Sequence, residues 1–377
     1  MMENDLLYFG LTHRTAPLAL REAFRADRDK AREMYHRLST VTVGTFLLST
    51  CERFELYAVA SAKLANEWPD RLSTWFHVPC SLVRTCTRAL ATEAAARHLL
   101  RVAAGLDSRI LGEPHILGQV REAYACALDA HSLDPILAAL GRFALRTGKR
   151  VRHETNINAS RRSIVTVALE RLRAECNPWR AKTTLIVGSG TLAEDILARL
   201  QNDRRPPNRV LICGRNQARA DHLAKRMEAS AVPWGELPYA VAQADAILTA
   251  TASMTYVLDA GSITAAMLLR PARPLCLFDL GMPRNIDPVV AQIPNIRRFD
   301  LDALLARSVG DLQGLAAAER IVEEEVTHFL RWRHERNVAP IIAAWMERAG
   351  GRRGLLPLPA RRRLHQRIMR LKAEAVA

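Results

Sequence analysis

A chain of 377 residues is too long for one ordinary hydrophobic core and fits two compact domains with an extension. With 49% hydrophobic and 25% charged residues, no run near the roughly 18 apolar residues of a membrane helix, and no signal-peptide pattern in MMENDLLYFG, a cytoplasmic protein without a membrane partner is expected. The 54 Lys and Arg against 39 Asp and Glu give a net charge of +15, which favours a polyanionic partner such as nucleic acid.

The first 60 residues alternate the apolar runs LLYFGL, FLLST and ELYAVA with a helical stretch over 28–38, the pattern of a small α+β unit. Apolar residues recur at helical spacing over 93–100 and 116–130, separated by GLDSRILGEPH, whose Gly and Pro break the periodicity. A further helix over 161–175 ends before Pro178. TTLIVGSGTLAEDILARL then reads as strand, glycine turn and helix, RVLICGRN as a second strand, and ADAILTATA and PLCLFDLG as further strands, so 182–305 is expected to form an open parallel sheet covered by helices. Beyond 312 a long, charged helix carries the stripe Leu315, Val322, Val326 and Phe329, fit to pack on another helix of this chain or of a second copy. The segment 348–372 holds nine basic residues and no acidic one, the composition of a solvated face or of a nucleic-acid contact.

Two motifs carry chemistry. In the turn Gly188-Ser189-Gly190-Thr191-Leu192-Ala193, Gly188 permits the tight bend, Gly190 lets backbone approach a pyrophosphate, and Ala193 allows close packing of helix on strand. The second strand ends at Arg215, where an acidic residue would read the ribose hydroxyls of NAD; arginine suits a 2′-phosphate, so NADPH is the expected cofactor. The second motif is LLSTCERFE, which sets Cys51 just after an apolar strand. A thiolate is the reactive form of such a side chain, Arg53 favours it, and Glu52 opposes it. The seven cysteines show no CxxC spacing, so neither a disulfide framework nor a metal site is expected.

Taken together, GLTHRTAPLALRE, STCERFELY, RHLLRVAAGLDSRILGEPHILGQVREAY, GKRVRHETNI, IVGSGTLAE and DLGMPRNIDP resemble the glutamyl-tRNA reductase family from Gly10 to about Ile342. The resemblance implies a multidomain α+β and α/β chain: an α+β catalytic domain (1–158), a Rossmann-like NADP-binding domain (159–306), and a long helix with a shortened, Arg-rich dimerisation region (307–377). It implies attack by Cys51 on the ester of glutamyl-tRNA, a thioester, and reduction by NADPH to glutamate 1-semialdehyde, the first step of 5-aminolevulinate synthesis. His98 is implied as a supporting group, and Thr50, Glu52, Arg53, Ser108, Glu113, Pro114, His115 and Gln119 as the pocket for the glutamyl group, with Arg53 on its carboxylate and Glu113 on its amine. A homodimer and a glutamate-1-semialdehyde aminomutase are the implied protein partners.

Three departures stand against that pattern. The family commonly has Asn where this chain has Glu52 and Gln where it has His115, so activity is expected to be reduced, re-tuned or redirected, a tRNA- or partner-binding paralogue being the alternative. The third is the tail AGGRRGLLPLPARRRLHQRIMRLKAEAVA in place of a longer helical region.

Overall fold

The computed structural model describes residues 4–157, 163–179, 182–204, 206–270, 273–306, 314–348 and 365–369. They form two compact units, one of 1–16, 26–159 and 311–377, the other of 17–25 and 160–310. The Arg-rich tail, apart from 365–369, lies outside the described residues.

In the first unit, the apolar runs become the strands β1 (Asn4–Thr12), β2 (Gly44–Ser49) and β3 (Arg53–Ser61), joined by β4 (Arg88–Ala91) in an antiparallel sheet of order β2-β3-β1-β4. Helices Thr92–Ala103 and Pro135–Glu154 pack on each other and on this sheet, burying Leu99, Leu100, Leu140 and Val151. Sequence periodicity had marked the first of these helices and Ile116–Asp129; it had not marked Pro135–Glu154, in which Gly141, Gly148 and six cationic or imidazole side chains interrupt the apolar pattern. Asp134 starts that helix by accepting from the amides of Ile136 and Leu137. Between them, Gly105 (φ 76°) closes a loop by accepting from the amide of Gly112 at 2.9 Å; a Cβ on Gly105 would come within 3.1 Å of the Gly112 backbone.

The helix Leu315–Arg348 belongs to this same unit. Its stripe of Val322, Val326 and Phe329 is buried, with Phe329 edge-on to Phe143 at 5.6 Å, and its seam is used on helices Thr92–Ala103 and Pro135–Glu154 of the same chain. Charge complements this packing. Buried Glu325 accepts from Arg146 and Arg150 (each 2.9 Å), and Glu323 receives both arms of Arg97.

The second unit is a six-stranded parallel sheet of order β10-β9-β8-β5-β6-β7, from β5 (Thr183–Val187), β6 (Arg209–Cys213), β7 (Ser230–Val232), β8 (Ala246–Thr249), β9 (Leu275–Asp279) and β10 (Ile296–Phe299). Near-continuous apolar strands suit burial on both faces, and the core runs through Leu185, Leu211, Ile247 and Leu277. A short helix from far upstream, Leu18–Ala23, belongs to this unit: its buried Arg21 pairs with Asp302, and Glu22 receives the amide and guanidinium of Arg284 at 2.6–3.0 Å. Among the described residues no helix is long and apolar enough to cross a membrane.

Candidate active site and cofactor site

Strands β2 and β3 form a hairpin whose tip is Cys51-Glu52, closed by the Thr50 amide donating to the Arg53 carbonyl at 2.8 Å. The tip is tied down twice more: the Glu52 amide donates to Thr50 Oγ1 (3.2 Å), and the His13 amide, at the end of β1, donates to the Glu52 carbonyl (2.8 Å). Cys51 is half-buried there.

From the tip, β3 sends Arg53, Glu55 and Tyr57 to one face, because side chains two apart on a strand share a side. All three are fully or almost fully buried. The Arg53 guanidinium donates to Glu55 Oε1 (2.9 Å), Asp107 Oδ2 (3.1 Å) and the Asp107 carbonyl (2.8 Å). Glu55 also meets His98 Nε2 (3.0 Å) and accepts from the Tyr57 hydroxyl (2.8 Å), while Tyr8 packs on the His98 ring at 4.5 Å. Burial by itself would raise Glu55, but His98 and Arg53 overcome it and hold its carboxyl at about 2. Burial opposes the Arg53 charge as well, and Glu55 and Asp107 more than restore it.

Both terminal nitrogens of Arg53 are engaged by the protein, while its buried Nε has no hydrogen-bond partner. The more accessible cation is Arg14, whose side chain is 55% exposed and lies 3.2 Å from Asp107. Glu52 is turned inward; it accepts from the Arg109 amide (3.3 Å) and lies 3.9 Å from Arg53, so part of its charge is offset. Glu113 is raised to about 7 by burial and then by Glu52, against Arg53 and Arg152. His13 is pushed down to about 3 by burial and by Arg109, Arg53 and Arg14, so it is neutral at physiological pH.

Of the twelve buried side-chain polar atoms without a hydrogen-bond partner among the described residues, three lie at this site: Ser108 Oγ, His13 Nδ1 and Arg53 Nε. Each belongs to, or adjoins in sequence or space, the cluster of Arg53, Asp107 and Glu52. Pro114 and His115 are exposed and Gln119 half-buried at the start of helix Ile116–Asp129, outside the hydrogen-bonded cluster. Glu55, His98 and Asp107 place three ligand atoms within 4.8 Å of one another, a metal-like arrangement, but the Arg53 guanidinium already bonds two of them and supplies the positive charge.

Sequence reasoning missed Glu55, Tyr57, Asp107, His13 and Arg14. The period-two row Arg53, Glu55, Tyr57 was the available signal, since polar residues on alternate positions of an otherwise apolar strand share one face.

In the second unit a cavity of about 340 Å³ lies at the carboxyl ends of the parallel strands, lined by Gly188, Ser189, Gly190 and Arg215, with Asn216, Trp234 and the loop 250–253. Gly188 (φ 130°) is obligatory, because a Cβ would meet the Ala250 carbonyl oxygen at 2.4 Å. A Cβ on Gly190 meets nothing within 4 Å, and the helix Thr191–Gln201 that follows has no side-chain cap, which leaves its first amides for a phosphate. Arg215 lies 5.5 Å over the Trp234 ring and donates to Ser253 Oγ at 3.0 Å. Of the predicted turn residues, Thr191, Leu192 and Ala193 do not line the cavity, and Ala193 is fully buried. The residues fit a dinucleotide phosphate.

Comparison with known proteins follows the same division. Residues 9–155 match the glutamyl-tRNA reductase N-terminal domain, 170–306 the shikimate/quinate 5-dehydrogenase family, and 317–375 the glutamyl-tRNA reductase dimerisation domain. Glutamyl-tRNA reductase of Nitrosococcus oceani is 31% identical across 96% of this chain and 87% of its own length. That of Rubrobacter xylanophilus is 36% identical across 88% of this chain and 79% of its own. The solved glutamyl-tRNA reductase of Methanopyrus kandleri is 28% identical, with a TM-score of 0.49 over 99% of this chain and 94% of that one. By identity sustained over nearly its whole length, the chain belongs to the glutamyl-tRNA reductase family.

Proposed function

We propose that this protein reduces the glutamyl ester of glutamyl-tRNA to glutamate 1-semialdehyde, with Cys51 as the nucleophile and NADPH as the reductant. Family membership supports the reaction. The observation that carries the site is the set of buried, unpartnered polar atoms, Ser108 Oγ, His13 Nδ1 and Arg53 Nε, around a hairpin tip that presents a thiol. A buried polar atom left without a partner costs about 1–3 kcal/mol, and a polar ligand would relieve it.

In this reading the Cys51 sulfur attacks the ester carbonyl; a C–S bond forms, the ester C–O bond breaks, and the tRNA ribose oxygen leaves with a proton. NADPH, which Gly188, Ser189, Gly190 and Arg215 would hold, would supply the hydride that reduces the thioester carbon, the C–S bond breaking to give the aldehyde and return the Cys51 thiolate. Thr50 and Glu52 fix the tip, Ser108 offers a hydroxyl, Arg14 meets a carboxylate, and ionised Glu113 meets the ammonium. His98 acts as a positioning residue through Glu55, and Arg53, held by Glu55 and Asp107, offers its unpartnered Nε to the substrate carboxylate beside Arg14. Pro114, His115 and Gln119 border the glutamyl pocket. Gly188, Ser189 and Gly190 cradle the pyrophosphate, and Arg215, braced on Trp234 and Ser253, takes the 2′-phosphate. The +15 net charge suits a tRNA substrate, and the match of 317–375 to a dimerisation domain supports a homodimer. A cytoplasmic location and delivery of the aldehyde to an aminomutase complete the proposal.

The test incubates the protein with glutamyl-tRNA and NADPH, following NADPH oxidation and aldehyde formation beside a Cys51→Ser variant. Turnover lost with the substitution is expected. No turnover by the unmodified protein removes the reaction, and turnover that survives Cys51→Ser removes the nucleophile.

A further inference from the structure

The segment DLGMPRNIDP contains a buried carboxylate that the chemistry above leaves unused. Asp279, the last residue of β9, has no exposed surface, and its oxygens accept from Thr249 Oγ1 (2.8 Å) and from the amides of Gly281 (3.1 Å), Asn285 (3.0 Å) and Ile286 (2.9 Å). All four partners are donors. A carboxylate, which only accepts, satisfies that set; the isosteric amide would turn a donor toward donors.

Asn285, equally buried, extends the network to the cofactor cavity. Its Oδ1 accepts from both the amide (3.0 Å) and the hydroxyl (2.9 Å) of Thr251, and its carbonyl accepts from the amides of Val257 (2.7 Å) and Leu258 (3.0 Å). Thr251 Oγ1 accepts from the Ser253 amide (3.1 Å), and Ser253 Oγ accepts from Arg215 (3.0 Å). The loop 250–253 lies beyond the end of β8, tied to β5 by the Ala250 amide donating to the Val187 carbonyl (2.8 Å), and it forms one wall of the cavity. An irregular loop holds one shape only where side chains supply the bonds that regular structure would.

We infer that Asp279 and Asn285 are positioning residues for cofactor selection: through Thr251 and Ser253 they set the wall of the dinucleotide cavity and the aim of the Arg215 guanidinium. The inference rests on the proposed NADPH site. It assigns a part of NADPH affinity, and of the preference over NADH, to two side chains that do not line the cavity.

The experiment titrates NADPH, NADH and 2′,5′-ADP by fluorescence against the full chain and the variants Asn285→Ala, Asp279→Asn, Thr251→Val and Thr251→Ser. In parallel, capture of labelled glutamate from glutamyl-tRNA on Cys51 is measured without cofactor. Asn285→Ala, Asp279→Asn and Thr251→Val are expected to weaken NADPH and 2′,5′-ADP about tenfold, the scale of one or two lost hydrogen bonds. NADH is expected to weaken less, with glutamate capture unchanged. Thr251→Ser, which keeps the hydroxyl, is expected to bind as the parent does. Thr251→Val removes a single oxygen, so it reports even where Asn285→Ala or Asp279→Asn fails to fold. A folded Thr251→Val with parental affinity and preference overturns the inference, as does a parent chain that binds no dinucleotide. Altered binding in the variants of a chain that captures no glutamate leaves the inference standing while the substrate reading fails.

Discussion

Arg53 donates to Glu55 at 2.9 Å with both side chains wholly buried, and this pair is the centre of the buried polar network around the hairpin tip. Arg53→Ala would leave the Glu55 and Asp107 carboxylates buried without their cation, a loss of about 3–5 kcal/mol. Arg53→Lys keeps the charge without the fork and should recover only part of it. Urea unfolding of the three proteins checks this; a midpoint unmoved by Arg53→Ala would show that the network does not hold the unit together.

Glu113 gives a pH dependence with a definite sign. Its carboxyl is raised from 4.5 to about 7 by burial and Glu52, so the folded state favours the protonated form. That contribution is present below 4.5 and is lost as pH rises through about 7. Glu113→Gln cannot ionise, so its stability relative to the parent should improve across this window. The catalytic effect runs the other way: the rise of kcat/KM through about 7, expected if ionised Glu113 receives the ammonium, should vanish in the variant. A variant profile that keeps the same limb assigns it to another group.

Arg215→Ala tests the phosphate reading. Charge-assisted hydrogen bonds contribute about 1.5–3 kcal/mol, so NADPH affinity should fall about tenfold to a hundredfold, with a smaller change for NADH. The ratio of the two KM values is the measurement. Equal losses for both cofactors would place the 2′-phosphate elsewhere.

Gly188 and Gly190 should behave differently although they are two residues apart. Gly188→Ala drives a Cβ to 2.4 Å from the Ala250 oxygen at a φ of 130°, which should destabilise by more than about 1 kcal/mol. Gly190→Ala meets no protein atom within 4 Å, so it should fold normally while its methyl intrudes on the cofactor. Thermal unfolding and NADPH titration of both variants separate the two effects.

Much of this protein was determined by local sequence. The glycine turn after TTLIV and the apolar runs of β5, β6, β8 and β9 specify a dinucleotide sheet, because turn chemistry and strand burial act over a few neighbouring residues. The thiol at a strand end was legible for the same reason. Only the tertiary structure decided what surrounds it. STCERFELY sets Arg53 beside the thiol, but Asp107, 54 positions away, closes on it, and His98 reaches Glu55 from the helix Thr92–Ala103. Leu18–Ala23 likewise belongs to the cofactor unit through Asp302 and Arg284, 281 and 262 residues from their partners. Such pairs carry no periodicity; they arise because a buried charge must find its counter-charge wherever the fold brings one, and that distance in sequence is invisible until the chain has closed.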